Sequence, residues 1–215
     1  MQPLYEAYRP REWSDVVGQE KALKTIETLR KRGLAGRVLY ITGKSGTGKT
    51  TIARLIADEV ADRYAQIEID ASDLSMDRVR EFERMCQFKP IGEKGFHCFI
   101  VNEAHRLRND VVSRLLSTFE SGNVQSTSTW IFTTTTSGDS LFDENFDSAP
   151  FGSRCVQIGL SQRGLAECFA DRARVVAQAE GLDGQPIEKY VRLAKDCGNN
   201  LREMLCRIEA GAMLE

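Results

Sequence analysis

Gly43-Lys44-Ser45-Gly46-Thr47-Gly48-Lys49-Thr50 reads G-x-x-x-x-G-K-T, a complete Walker A loop. Val38-Leu39-Tyr40-Ile41-Thr42 before it has the composition of a short buried strand. Thr51-Ile52-Ala53-Arg54-Leu55-Ile56-Ala57 after it opens an amphipathic helix. The glycines let the backbone curl with its N–H groups turned inward, and the helix N-terminus adds partial positive charge at the same point. Such a loop calls for a phosphate. Lys49 is expected to reach the β- and γ-phosphates and the Thr50 hydroxyl to ligate Mg²⁺. The expected cofactors are therefore ATP or ADP with Mg²⁺, held by Gly43, Lys44, Ser45, Gly46, Thr47, Gly48, Lys49, Thr50 and Thr51.

Outward from the loop, strands and helices alternate. Residues 19–33 repeat Ala22, Leu23, Ile26 and Leu29 at helical spacing and stop at Gly33. Residues 65–70 alternate like a strand, and 76–87 read as a helix ended by Pro90 and Gly92. His97-Cys98-Phe99-Ile100-Val101 is a continuous apolar run, suited to a strand covered on both faces. A helix is expected over 109–120, a strand over 129–134, and a last strand over 154–158. The first 18 residues read as extended, and 137–151, with Asp139, Asp143, Glu144 and Asp147, as a polar acidic loop. This is an α/β pattern: a parallel sheet flanked by helices. After Leu160 only helices are expected, over 162–180, 186–197 and 199–214. The division is a nucleotide-binding domain over 1–160 and a small all-helical lid over 161–215.

At 215 residues the chain can bury a proper core. The polar N-terminus does not resemble a signal peptide, and no apolar run is long enough to span a bilayer. Six cysteines show no C-x-x-C pair and no zinc-like grouping with the two histidines, so no zinc is expected and most cysteines read as reduced core residues. Net charge is −2, so nucleic acid would have to meet a local patch. Arg30, Lys31, Arg32 and Arg37 form one basic stretch. Arg78, Arg80, Arg84, Lys89, Lys94, Arg106 and Arg108 form another. An unevenly charged solvated surface explains them equally well.

Phe99-Ile100-Val101-Asn102-Glu103 has the form of a Walker B strand end. Its second acid, Glu103, is placed to orient and deprotonate an attacking water. Its first position, which normally carries the Asp that holds the Mg²⁺ shell, is Asn102. An amide oxygen can accept from a metal-bound water but brings no charge. Thr133-Thr134-Thr135-Thr136 ends the next strand. There a hydroxyl facing the γ-phosphate and a choice for β propensity alone are both open.

Several motifs in order resemble AAA+ ATPases of the clamp-loader group, the replication factor C small subunits and the bacterial gamma/tau subunit. Tyr8-Arg9-Pro10 with Asp15-Val16-Val17-Gly18-Gln19 resembles the family's YRP…DVVGQ entry, which implies that Tyr8, Arg9, Pro10 and Val17 surround the adenine. Glu68-Ile69-Asp70-Ala71-Ser72-Asp73 with Val79-Arg80, and Leu115-Leu116-Ser117-Thr118-Phe119-Glu120, match further family segments. The resemblance implies a sensor-1 role for Thr135, an arginine finger at Arg154 in Gly152-Ser153-Arg154-Cys155, and a sensor-2 role for Arg202 in Asn200-Leu201-Arg202. A finger that acts on a neighbour's ATP implies a homo- or hetero-oligomer.

The same resemblance implies primer–template DNA and a sliding clamp as partners, with Arg78, Arg80 and Arg84 following the DNA backbone. It implies an ATPase that is slow as an isolated subunit, in the cytoplasm near the nucleoid or in a nucleus. The gamma/tau zinc module has no counterpart here, so the replication factor C type is the nearer likeness. The family's helical collar would begin where this chain ends, at Glu215, and is expected to be absent. Two other functions stay open: a different DNA-associated AAA+ motor, namely a helicase loader, branch migrator or recombination mediator, or a weakly hydrolysing structural subunit of a loader.

Overall fold

The computed structural model describes residues 2–135 and 149–214; the acidic segment with Asp139, Asp143, Glu144 and Asp147, together with Thr136 and Glu215, lies outside them. Helices are α1 (Leu4–Ala7), α2 (Glu20–Arg32), α3 (Lys49–Val60), α4 (Met76–Met85), α5 (Asn109–Phe119), α6 (Gly122–Thr127), α7 (Ala149–Arg154), α8 (Ala166–Ala179), α9 (Ile187–Asp196) and α10 (Leu201–Glu209). Strands are β1 (Val38–Thr42), β2 (Gln66–Asp70), β3 (His97–Asn102), β4 (Ser128–Thr134) and β5 (Val156–Gly159).

The strands form one parallel sheet in the order β2-β3-β4-β1-β5. Alternate side chains of each inner strand go to opposite faces, and both faces are covered, which is why the strands read as unbroken apolar runs. On β3, Phe99 and Val101 join a cluster with Phe82, Val111, Leu115, Phe119, Trp130 and Phe132, under α4 and α5. Cys98 and Ile100 point the other way, to Ile26, Ile41, Ile52, Ile56 and Ile131 under α2 and α3. A third cluster gathers α8, α9 and α10 around Phe169, Tyr190 and Met204, and it includes Leu4 with Tyr5, Tyr8 and Val17 packed against it.

Two expectations need correction, and one helix has no forerunner in the sequence pattern. The N-terminal stretch is not simply extended. Pro3 begins a helical turn, and buried Leu4 holds it against α10, with the Leu4 N–H donating to Glu209 at 3.4 Å. The last strand begins at Val156, not at residue 154. Arg154 closes α7 instead, because β1 offers β5 only four partners, Leu39 to Thr42. Helix α6 has no apolar periodicity. Side chain to backbone bonds hold the segment: Thr127 to the Cys86 carbonyl at 2.7 Å and Ser128 to the Val124 carbonyl at 2.7 Å. Cys206 is exposed, unlike the buried Cys86, Cys98 and Cys197. No described helix is long and apolar enough to cross a membrane.

The aromatic stack is the densest part of the larger cluster. Phe82 and Phe99 centroids are 4.4 Å apart, and Trp130 lies 4.5 Å from Phe99. Phe82→Ala would leave a cavity between α4 and the sheet. It should lower unfolding free energy by about 3–5 kcal/mol in urea titration; a loss below about 1 kcal/mol would show that α4 carries no such packing.

Candidate nucleotide site

The loop between β1 and α3 turns on two glycines. Gly48 caps α3 in the left-handed region, φ 98° and ψ 14°, so the first N–H groups of the helix are left facing the loop. Gly46 has φ 77°, and a Cβ on it would lie 1.8 Å from Asn200 Oδ1. Asn200 caps α10 by accepting from the Glu203 N–H at 3.2 Å, so the phosphate loop and the last helix touch directly. Gln19, buried, ties the loop to a second place, Ser161 just beyond β5. Its amide donates to the Thr47 carbonyl at 3.3 Å and the Ser161 carbonyl at 2.9 Å, and its carbonyl accepts the Ser161 N–H at 2.9 Å.

Lys49 is only 7% exposed. Burial holds its ammonium below the ordinary lysine range; Glu103 opposes that shift and Arg202 adds to it. Its Nζ donates to the Lys44 carbonyl at 3.0 Å. A desolvated cation with a second cation nearby makes a strong anion site. The cleft around them holds about 990 Å³, open solvent included. It is lined by Ser45 to Thr51, Tyr8, Arg9, Pro10, Val17, Glu103 and Arg202; Gly43 and Lys44, also expected to hold the nucleotide, are not among its lining residues. Arg9 is fixed there by an ion pair with Glu6 and a 3.1 Å bond to the Thr51 hydroxyl.

The cleft also contains residues the sequence did not mark: Tyr5, Asp15, Phe169, Arg172, Leu201 and Leu205. Some signal was present. Tyr5 sits three residues before Tyr8, Phe169 and Arg172 share a helix face, and Leu201 and Leu205 flank Arg202 on another. The Arg202 guanidinium lies 5.5 Å from the Tyr5 ring centroid, which holds it over the cleft.

From the C-terminal edge of the sheet, Glu103, just past β3, lines the cleft, and the end of β4 lies behind it. Glu103 has φ 54° and ψ 48°, a left-handed conformation rare for a side-chain-bearing residue and typical of working sites. The Thr135 hydroxyl donates to Glu103 Oε2 at 3.3 Å, and His105 Nδ1 lies 3.5 Å from the same oxygen. Thr135 thus meets Glu103 and is not among the residues lining the cleft. Asn102 Oδ1 accepts the Thr133 hydroxyl at 2.9 Å and lies 3.4 Å from the Thr50 hydroxyl. Among the described residues no group of three or more His, Cys, Asp or Glu could cage a metal. The Thr50 and Asn102 oxygens fit a Mg²⁺ that arrives with a nucleotide and keeps phosphate and water ligands.

The remaining predicted residues lie apart. Arg154 is ion-paired with Glu120 at the end of α5 and does not line the cleft. On α4, Arg78 pairs with Glu81 at 2.6 Å and Arg80 with Asp77 at 2.9 Å, while Arg84 is exposed.

Residues 39–151 match the family model described as "ATPase family associated with various cellular activities (AAA)". The chain is 31% identical to replication factor C small subunit 2 of Pyrobaculum aerophilum, over 83% of this chain and 54% of that protein. It is 29% identical to DNA polymerase III subunit tau of Bacillus subtilis, over 55% of this chain and 25% of that one. The chain therefore spans about half the length of the replication factor C relatives it matches. In fold it is similar to the Thermotoga maritima RuvB Holliday junction branch migration motor, with TM-score 0.65 and 24% identity over 93% of this chain and 63% of that one. Domain III of the Thermotoga maritima replication initiation protein DnaA gives TM-score 0.64 and 20% identity, over 90% of this chain and 83% of that one.

Two consequences can be measured. Gly46→Ala forces a methyl group into Asn200 and a strained φ, and should abolish nucleotide binding in equilibrium titration. Lys49→Met removes a cation that burial disfavours. The folded chain binds that proton less tightly than the unfolded chain, so the penalty is complete below the depressed pKa and fades as pH rises toward 10.5. The nucleotide-free variant should therefore melt about 2–4 °C above the parent at neutral pH. The gap should close by pH 10.5, and ATP should no longer raise its melting temperature; a variant that melts lower would refute the burial argument.

Proposed function

The chain belongs to the AAA family of ATPases, and from that we propose that it is an ATP-binding and ATP-hydrolysing subunit of clamp-loader type, using ATP to remodel or load a sliding clamp at primed DNA. The observation that carries the catalytic part is the convergence of buried Lys49 and α10's Arg202 on one cleft, opposite Glu103. Two cations facing the loop amides suit the charge that spreads over γ-phosphoryl oxygens during transfer. Glu103 orients and deprotonates water, with Thr135 holding its carboxylate. Tyr8, Val17 and Phe169 offer an apolar slot to the base. Thr50 and Asn102 would hold Mg²⁺, which neutralises phosphate charge when bound. Helices after about residue 160 act as a lid that carries Arg202.

Arg154 completes the site of a neighbouring copy or partner subunit, and its position away from this chain's own cleft supports action in trans. Primer–template DNA would follow Arg78, Arg80 and Arg84 on α4, exchanging Asp77 and Glu81 for phosphates. The replication factor C and tau relatives support this reading. Asn102 favours a second: a subunit that binds ATP and presents Arg154 while turning ATP over very slowly.

Turnover per subunit should rise with protein concentration and with primed DNA. Mixing Arg154→Ala with Lys49→Ala should recover part of the activity that each lacks. A flat, near-zero rate alongside tight ATP binding would select the second reading, and no recovery in an assembled mixture would refute the finger in trans.

A further inference from the structure

A neutral residue stands where the Mg²⁺ shell of a P-loop ATPase needs an anion, and the side chain beside it is a carboxylate. Asn102 Oδ1 takes the Thr133 hydroxyl at 2.9 Å, and its Nδ2 donates to Glu68 Oε1 at 2.8 Å. Thr50, the Walker A hydroxyl, lies 3.4 Å from the same Oδ1. Turning the amide over would set its oxygen against a carboxylate, so these partners fix its orientation. Glu68 lies on β2, where it pairs in register with Ile100, two residues before Asn102 on β3, so both side chains leave the same face of the sheet.

We propose that Glu68 supplies the negative charge that the Mg²⁺ site lacks at Asn102, the Asn102 amide holding that carboxylate on one side while its oxygen faces the Thr50 hydroxyl on the other. The inference rests on the nucleotide-binding reading above. An aspartate at 102 would put two carboxylate oxygens at the present 2.8 Å separation, a contact that ions of like charge avoid. The Glu68–Asn102 pair instead carries one negative charge across two strands. Mg²⁺ keeps most of its water shell, so a carboxylate one residue removed acts by accepting hydrogen bonds from metal-bound water. Arg54 also bonds Glu68, at 2.7 and 3.2 Å, and lies 4.0 Å from Glu6; its guanidinium offsets part of the Glu68 charge, and the Asn102 bond to the carboxylate does not depend on it. Asn102 is the positioning residue; Glu68 supplies the charge.

The test is ATP affinity with EDTA and with Mg²⁺, measured with a fluorescent ATP analogue on the full chain. Glu68→Gln should bind as the parent does in EDTA, within about twofold, and lose about tenfold of the gain that Mg²⁺ gives. The double variant Glu68→Gln with Asn102→Asp inverts the pair, an amide at 68 donating to a carboxylate at 102, and should regain the Mg²⁺ effect to within about threefold. Arg54→Met should keep that effect within about twofold. A full Mg²⁺ gain in Glu68→Gln, no recovery in the double variant, or a loss in Arg54→Met equal to that in Glu68→Gln would each overturn the proposal. A parent that binds no ATP in either medium would overturn the nucleotide reading and this inference with it.

Discussion

An ammonium group taken out of water costs several kcal/mol unless anions or acceptors surround it, and the arrangement of this protein follows from burying Lys49. The glycines at 46 and 48 leave amides turned inward around it. The carboxylate that favours its charge, Glu103, sits at the end of another strand, and the Lys44 carbonyl accepts a hydrogen bond from the ammonium. Arg202 makes the cost larger. A site that places two cations close together is poorly satisfied by its own chain and well satisfied by a polyphosphate. Stability is traded there for affinity.

The sheet order explains how distant segments reach that lysine. Strand β4 lies between β1 and β3, so the Gly43 N–H binds the Thr134 carbonyl at 3.2 Å while Thr133 binds Asn102 on the other side. The threonine run that ends β4 thus serves both neighbours. Residues 4–17 give the third cluster an apolar edge, and Tyr8 donates to Glu180 at 2.7 Å. The N-terminal segment thereby lines the cleft and packs on the helices after Leu160 at once.

Much of this was readable in the chain. The Walker A spacing, the apolar runs of β1 and β3 and the helical stripes of α3 and α5 are local patterns, and local patterns survive in sequence. Most motif residues expected to surround the nucleotide, Arg202 among them, line one cleft. What escaped came from tertiary contact. Helix α1 has four residues and forms because Leu4 finds α10. Phe169 and Leu205 read as ordinary core positions of their helices. Asn102 read as a loss of charge, since the nearness of Glu68 is set by the β2–β3 register and has no signature in spacing. Arg154 read as the first residue of the last strand, although pairing with β1 begins only at Val156.

Gly46 and the Asn200 cap of α10 meet beside the cleft with no room for a side chain between them. Gln19 makes a second junction, holding Thr47 of the loop and Ser161 beyond β5 with one side chain. The phosphate loop is therefore seated at two points, once against the cap of α10 and once against the segment that leads to α8. A displacement of α10 would be felt at the loop, because the amide that caps the helix is the one packed on Gly46.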